Sequence, residues 1–333
     1  MVAISKKSVT IGVAVIAVAA IAIALVYSQK KKSTYNALAS STAEGYTPRI
    51  IGGATLNRNV WDQSRRYLVS IRKDGHFCGA TLVSRRVVLS AARGNPNPPG
   101  GFNPAESIDF NRYAQDDNGG VTTIPLCQTE NNSCEDTGLA YVIRHQDWRF
   151  NTFTNDVALI ILPEGRQITT IPPVILNRNP NVPVDGQEVE AFGWGLTNRR
   201  PFPGVFPNEI QTGTLEYLTN RECRRLLNAN NDQTITGDMM CARTDSTNGV
   251  ATGGGDSGGP LLSGEVQVGV ASYTLVEDIT GTNTDPNRPD GFARISFLFD
   301  WIRDTVCAEV PLDEVFNCRR SKASKQTKQG KRY

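Results

Sequence analysis

From residue 50 onward the chain alternates short apolar runs with clusters of Gly, Pro, Asn and Asp. The runs are "YLVSI", "ATLVSRRVVLSA", "LAYVIRH", "DVALIIL", "EVEAFGWG", "GTLEYL", "PLLSG", "VQVGVASYTLV" and "GFARIS". Short β-branched stretches bounded by turn formers predict an antiparallel all-β domain rather than βαβ units. Helix is scarce. The best candidate is "SFLFDWIRDTV", 296–306, where Phe297, Trp301 and Ile302 share one face and Ser296 offers an N-cap. No internal repeat is visible beyond the strand rhythm.

The first fifty residues follow another pattern. Residues 9–27 carry no charge and are flanked by Lys6-Lys7 and by Lys30-Lys31-Lys32. As a helix this run spans roughly 28 Å, close to the hydrocarbon thickness of a bilayer. It exceeds a typical signal-peptide core, which favours an uncleaved anchor, and a signal peptide cut after Ser28 is the alternative. Segment 1–28 is therefore read as anchor or signal. Residues 29–49, polar and aperiodic, are read as a linker or pro-segment, 50–306 as the folded domain and 307–333 as a basic tail. The flanking lysines do not fix an orientation.

Charge and cysteine content narrow the setting. With 35 Lys plus Arg against 33 Asp plus Glu, the net charge of +2 points to no polyanion globally, and no nucleic acid is expected. The last sixteen residues carry seven basic side chains and no acid, the pattern of a solvated terminus or a local anionic contact. Seven cysteines without a Cys-x-x-Cys, and two histidines in all, argue against zinc, and no metal or cofactor is implied. Disulfides in an exported domain fit better, as does the sequon Asn131-Asn132-Ser133. The odd count leaves one thiol over. The expected setting is the secretory pathway, with the domain outside the cell, either anchored through 9–27 or released.

The most specific string is "GGGDSGGP", 253–260, where glycines around Ser257 expose a hydroxyl and turn successive N–H groups toward one point. It follows, in order, "RIIGG" (49–53), "HFCGATLVS" (76–84), "NDVALIIL" (155–162), "GWG" (193–195) and "MCA" (240–242), and precedes "PDGFARI" (289–295). Together these resemble the trypsin/chymotrypsin-like serine peptidases over roughly 50–306. The resemblance implies two perpendicular six-stranded antiparallel β-barrels with the cleft between them and a C-terminal helix packed on the second. It assigns Ser257 as nucleophile, Gly255 and Ser257 as the oxyanion-hole amides, and Asp156 as the buried carboxylate that orients a base, with Ser272 beside it. It also implies activation by cleavage after Arg49 by another protease, the new Ile50 amine pairing with Asp256.

The position of the base reads Ala91-Ala92-Arg93. Arginine has five donors and no acceptor and stays protonated, so it cannot take the Ser257 proton. His76 and His145 match noncatalytic places of the family. An Arg93–Asp156 ion pair is the expected structural use of the substitution. In the specificity pocket (Ala251, Ser272, Thr274, Asp290) the acid expected six residues before the nucleophile is Ala251. Asp290 matches the opposite wall, as in crustacean collagenolytic members, unless it is a loop acid facing water. The family bridges Cys223–Cys241. Proximity suggests Cys127–Cys134 and Cys307–Cys318, leaving Cys78 free because Gly94 replaces its partner. Asp116-Asp117 falls near a calcium loop of some members and is read as solvated. The expected function is a catalytically impaired peptidase homologue that binds a protein or peptide in its cleft. A working serine endopeptidase is the alternative, and polyanion binding through the tail a third.

Overall fold

The computed structural model describes residues 50–94, 105–127, 138–197, 205–229, 234–244, 249–273, 287 and 289–319. The expectations on 9–27, Arg49, the 131–133 sequon, Cys134, Thr274 and the tail beyond 319 lie outside the described residues. Strand β1 (Ala54–Thr55) leads into a short helical stretch, 58–65, which buries Trp61. A first sheet follows: β2 (Leu68–Arg72), β3 (His76–Ser84), β4 (Val87–Ser90), β5 (Ser107–Phe110), β6 (Thr122–Pro125), β7 (Tyr141–Arg144) and β8 (Ala158–Ile161). Its order is β6-β5-β2-β3-β4-β8-β7. Among the described residues, its two edges meet at the Leu126–Ala140 bridge, where the Cys127 N–H donates to the Ala140 carbonyl at 2.8 Å and the Ala140 N–H to the Pro125 carbonyl at 3.0 Å, so this half is the half-barrel partner of the closed barrel below.

The second half comprises β9 (Ile175–Leu176), β10 (Glu188–Gly193), β11 (Gln211–Leu218), β12 (Met239–Arg243), β13 (Pro260–Ser263), β14 (Val266–Tyr273) and β15 (Asp290–Arg294). Here β11-β10-β13-β14-β15-β12 closes into a six-stranded barrel through β11–β12 pairing, and β1 adds to β11. Alternation explains its walls: along β11 every second residue from Gln211 is buried, as period-2 geometry requires. The β4 run "VVLS" is buried throughout because β3 and β8 flank it.

Helix α1 (Asn220–Ala229) packs on β11 and β12. The C-terminal helix α2 runs Ile295–Glu309 and departs from the sequence reading in two ways. Its buried face is Ile295, Leu298, Phe299, Ile302 and Val306, an i, i+3, i+4, i+7, i+11 stripe, and Phe297 is 60% exposed. Ser296 does not cap it. Arg294 holds the N-cap position in extended conformation, because β15 runs directly into the helix. The helix lies against β9, β14 and β15 of the second half, yet its buried side chains belong to the core cluster that fills the first. The folded chain also overruns the expected boundary at 306. The Cys307–Cys318 disulfide and the Asp313 carboxylate, which accepts from the Val315 and Phe316 amides, fold residues to 318 back so that Phe316 stacks on Phe299 at 6.1 Å.

Candidate active site

Strand register brings the first two site residues together. Ser90, the last residue of β4, pairs with Ala158, the first of β8. The 3-10 turn Ala92–Gly94 leaves β4 just where the chain enters β8, so Arg93 lies beside Asp156. Asp156 is fully buried. Its Oδ1 accepts the Arg93 backbone N–H at 2.8 Å and its Oδ2 the Ser272 hydroxyl at 2.6 Å, and the Ala92 N–H also serves it. Desolvation outweighs these donors and pushes the carboxyl up to about 6.

Ser257 comes from the loop before β13. Its carbonyl accepts the Gly79 N–H of β3 at 2.9 Å, and the next residue's N–H, Gly258, donates to Ala271 of β14 at 2.7 Å. A Cβ at Gly258 (φ +86°) would strike the Gly79 carbonyl and the Ser90 hydroxyl, which is why the turn after the serine is glycine. Two further bonds orient the preceding peptides. The Leu196 N–H holds the Gly254 carbonyl at 2.8 Å, and His76 Nε2 donates to the Gly255 carbonyl at 2.9 Å. With the Gly254 carbonyl held by Leu196, the Gly255 N–H of the same trans peptide points away from Leu196. Among the described residues, neither it nor the Ser257 N–H has an acceptor. These are the two amides that the resemblance implies form an oxyanion hole.

His76 is fixed by its bonds. A carbonyl can only accept, so Nε2 carries the hydrogen and Nδ1 accepts from Ser70 Oγ at 2.8 Å. Burial pushes its pKa down to about 4, which keeps the ring neutral. His145 stacks on Trp301 at 4.7 Å and accepts the Asp147 N–H. Neither histidine approaches Asp156.

The expected Arg93–Asp156 ion pair does not form. The guanidinium passes the carboxylate, donates to the Ser272 carbonyl and lies over the Phe153 ring at 5.1 Å. Phe153 in turn stacks on Tyr273, centroids 5.0 Å apart and 23° between planes. The reason is saturation: two backbone amides and a hydroxyl already take the Asp156 oxygens, and the Arg93 charge acts on the carboxylate only from a distance, without a hydrogen bond. Sequence reading missed this aromatic pair, the role of Leu196 and the contact that makes His76 a positioning residue. "RFNTFTND" carried the only visible signal, in its two phenylalanines.

The pocket residues lie where the loops meet the second barrel. Ala251 is buried and donates its N–H to the Ile51 carbonyl at 2.9 Å. Asp290, at the start of β15, is only 2% exposed, and its Oδ2 accepts both the amide and the hydroxyl of Thr252, so it is no water-facing loop acid. Asp256 is buried and accepts the Gly195 and Gly253 amides, each at 2.8 Å. Burial, with a smaller push from Asp290, raises its carboxyl to about 7. Ile50 is fully buried, in one apolar cluster with Val250 and Leu215. Cys223–Cys241 is bridged, Cys127 is disulfide-bonded with its expected partner Cys134 outside the described residues, and Cys78 is a buried free thiol. Asp117 is not simply solvated: its carboxylate accepts the Tyr113 and Ala114 amides and caps the loop.

A half-barrel joined to a closed barrel, with a serine loop and a buried aspartate at their junction, defines a serine-peptidase domain. The trypsin family model matches residues 50–302, and the chain belongs to that trypsin-like serine endopeptidase family. It is 29% identical to human Trypsin-3 over 268 residues, covering 78% of this chain and 73% of that protein. It is 27% identical to Granzyme M of Rattus norvegicus (78% and 90% covered) and 26% identical to Brachyurin of Leptuca pugilator (76% and 97%).

Proposed function

We propose that this chain is a peptidase homologue that binds a peptide or protein in its cleft and does not hydrolyse it. The observation behind this reading is the place beside Asp156, where Arg93 presents only donors. Among the described residues, no group there can take the Ser257 proton or return one to a leaving amine. The aromatic rim supports binding. Phe77 and Phe206 are more than one-third exposed beside the Ser257 loop, and Phe150 is exposed next to Phe153. Cleavage after Arg49 then serves to order the loops around Asp256 through the Ile50 amine, switching on binding rather than catalysis. The two complete bridges, Cys223–Cys241 and Cys307–Cys318, fit an oxidising compartment, with 9–27 as anchor or export signal.

The two amides of the implied oxyanion hole favour a second reading, a slow endopeptidase. The two are separated by cutting the chain after Arg49 and following hydrolysis of a peptide ester, with fluorophosphonate labelling of Ser257 in parallel. The homologue reading expects turnover and labelling no higher than in Ser257→Ala. Clear Ser257-dependent turnover overturns it.

A further inference from the structure

The Arg93 charge lowers the Asp156 pKa from a distance but makes no hydrogen bond to that carboxylate, so most of its donors are left toward the cleft. Its side-chain contacts among the described residues are one carbonyl, that of Ser272, and one ring, that of Phe153. A single carbonyl engages a small part of a five-donor fork. The Gly255 and Ser257 amides are likewise without acceptors among the described residues, and Ser257 and Gly255 are partly exposed. The nearby acids cannot answer these donors: Asp156 and Asp256 are buried, with their oxygens turned to amides and a hydroxyl inside the fold. What faces solvent is a guanidinium, a hydroxyl and two amides, a set complementary to an anion.

The contact Arg93 makes has a second consequence. The β14–β15 register breaks between Ala271 and Tyr273, so Ser272 sits in a bulge and its carbonyl is outside the ladder. A carbonyl that a bulge frees from the ladder can accept an N–H from an extended peptide. Here the guanidinium occupies it.

We propose that the cleft is a carboxylate receptor in which Arg93 acts as a latch: a peptide carboxylate draws the guanidinium off the Ser272 carbonyl and, with the Gly255 and Ser257 amides, is held by it. Exchanging a neutral acceptor for a charged one favours the move, and it frees the Ser272 carbonyl for an N–H of the same peptide. The carboxylate is an Asp or Glu side chain or the C-terminus of a peptide. This rests on the reading of the cleft as a peptide-binding site.

The test uses the full chain, uncut and cut after Arg49, with three N-acetylated alanine-based hexapeptides. One ends in a free carboxylate, one is C-terminally amidated, and one is amidated with a Glu at its fourth position. Calorimetric titration should give at least one carboxylate peptide a Kd about tenfold or more below the neutral amide, as a charge-assisted hydrogen bond implies. Whichever peptide shows the preference identifies the source. The preference should disappear in Arg93→Gln, persist in part in Arg93→Lys, and shrink between 50 and 500 mM salt in the wild type. If the neutral amide binds equally well, or the preference survives Arg93→Gln, the carboxylate assignment fails while peptide binding stands. If no peptide binds at millimolar concentration in either form, the peptide-binding reading fails with it.

Discussion

The Arg93 amide donates to one Asp156 oxygen at 2.8 Å, while the Arg93 side chain turns past the carboxylate to the Ser272 carbonyl. The backbone at residue 93 therefore serves Asp156 whatever side chain it carries, including the histidine that the resemblance implies there. Ser272 and Ala92 orient the same carboxylate.

It follows that Arg93→His should raise Ser257-dependent ester hydrolysis. On a convergent serine-peptidase fold, losing the base alone costs about 10⁶ in turnover. A regain of roughly 10²–10⁴ is expected, because an imidazole placed by substitution does not reach optimal alignment with both Ser257 and Asp156. The check is initial rates of Arg93→His against wild type and against the Arg93→His, Ser257→Ala double variant. Equal rates in all three would mean that the backbone at residue 93 does not place a competent base.

The Asp256 carboxyl supplies a pH-dependent prediction. Its pKa is raised to about 7 in the uncut chain, against about 4 when unfolded, so the folded state binds more protons in between. The stability this group contributes is fully present below pH 4 and is lost as pH rises through 7, by an amount on the order of a few kcal/mol. Asp156, raised to about 6, adds to the same decline. Uncut protein should therefore lose stability from pH 4 to 7, with a shallower slope in Asp256→Asn. Cleavage after Arg49 should flatten the slope in the wild type only, because a buried ammonium stabilises the charged form. Thermal unfolding across that pH range decides it; identical slopes before and after cleavage would remove the switch.

Motif strings located Ser257, Asp156 and Asp256 because backbone geometry at those places demands specific residues, and such demands are written locally. Whether Arg93 pairs with Asp156 depended on a count of donors that sequence does not supply: the Ala92 and Arg93 amides and the Ser272 hydroxyl had already filled the place. The misjudged helix face has a similar origin. Phe297 is apolar but exposed and Trp301 packs on the core only in part, while the buried stripe begins at Ile295, set by where β15 ends.

Cys78 is 4% exposed, and burial pushes its thiol up to about 12, with Arg93 pulling only weakly the other way. A buried, protonated thiol is a poor nucleophile. Native protein should show no thiol reactive toward Ellman's reagent over hours, and one per chain after unfolding without reductant. Rapid native labelling at Cys78 would contradict its burial.

The last prediction concerns the loop once compared with a calcium site. Arg112 is 8% exposed, and its Nη1 donates to the carbonyls of Gln115 and Asp117 at 2.8 and 2.7 Å and, more weakly, to Ala114 at 3.4 Å. Its Nε donates to Asp109 at 2.8 Å, and Asp109 is also met by Arg72 at 3.2 Å and by the Thr123 hydroxyl at 2.6 Å. A ring of carbonyls around one positive centre is the arrangement a bound cation creates, and here the cation is covalently part of the chain. Calcium at millimolar concentration, or its chelation, should therefore leave Tm unchanged within about 1 °C, since nothing is left for the ion to neutralise. Removing the guanidinium strands the Gln115 and Asp117 carbonyls, while the Ala114 carbonyl keeps the Asp117 N–H, and it takes half of the Asp109 ion pairing, so Arg112→Ala should cost about 3 kcal/mol, or roughly 6–12 °C in Tm for a domain of this size. Arg112→Lys should recover only part of this, because one ammonium cannot serve Asp109 and the carbonyl ring at once. A wild-type Tm that climbs with added calcium would show that the loop still needs the ion.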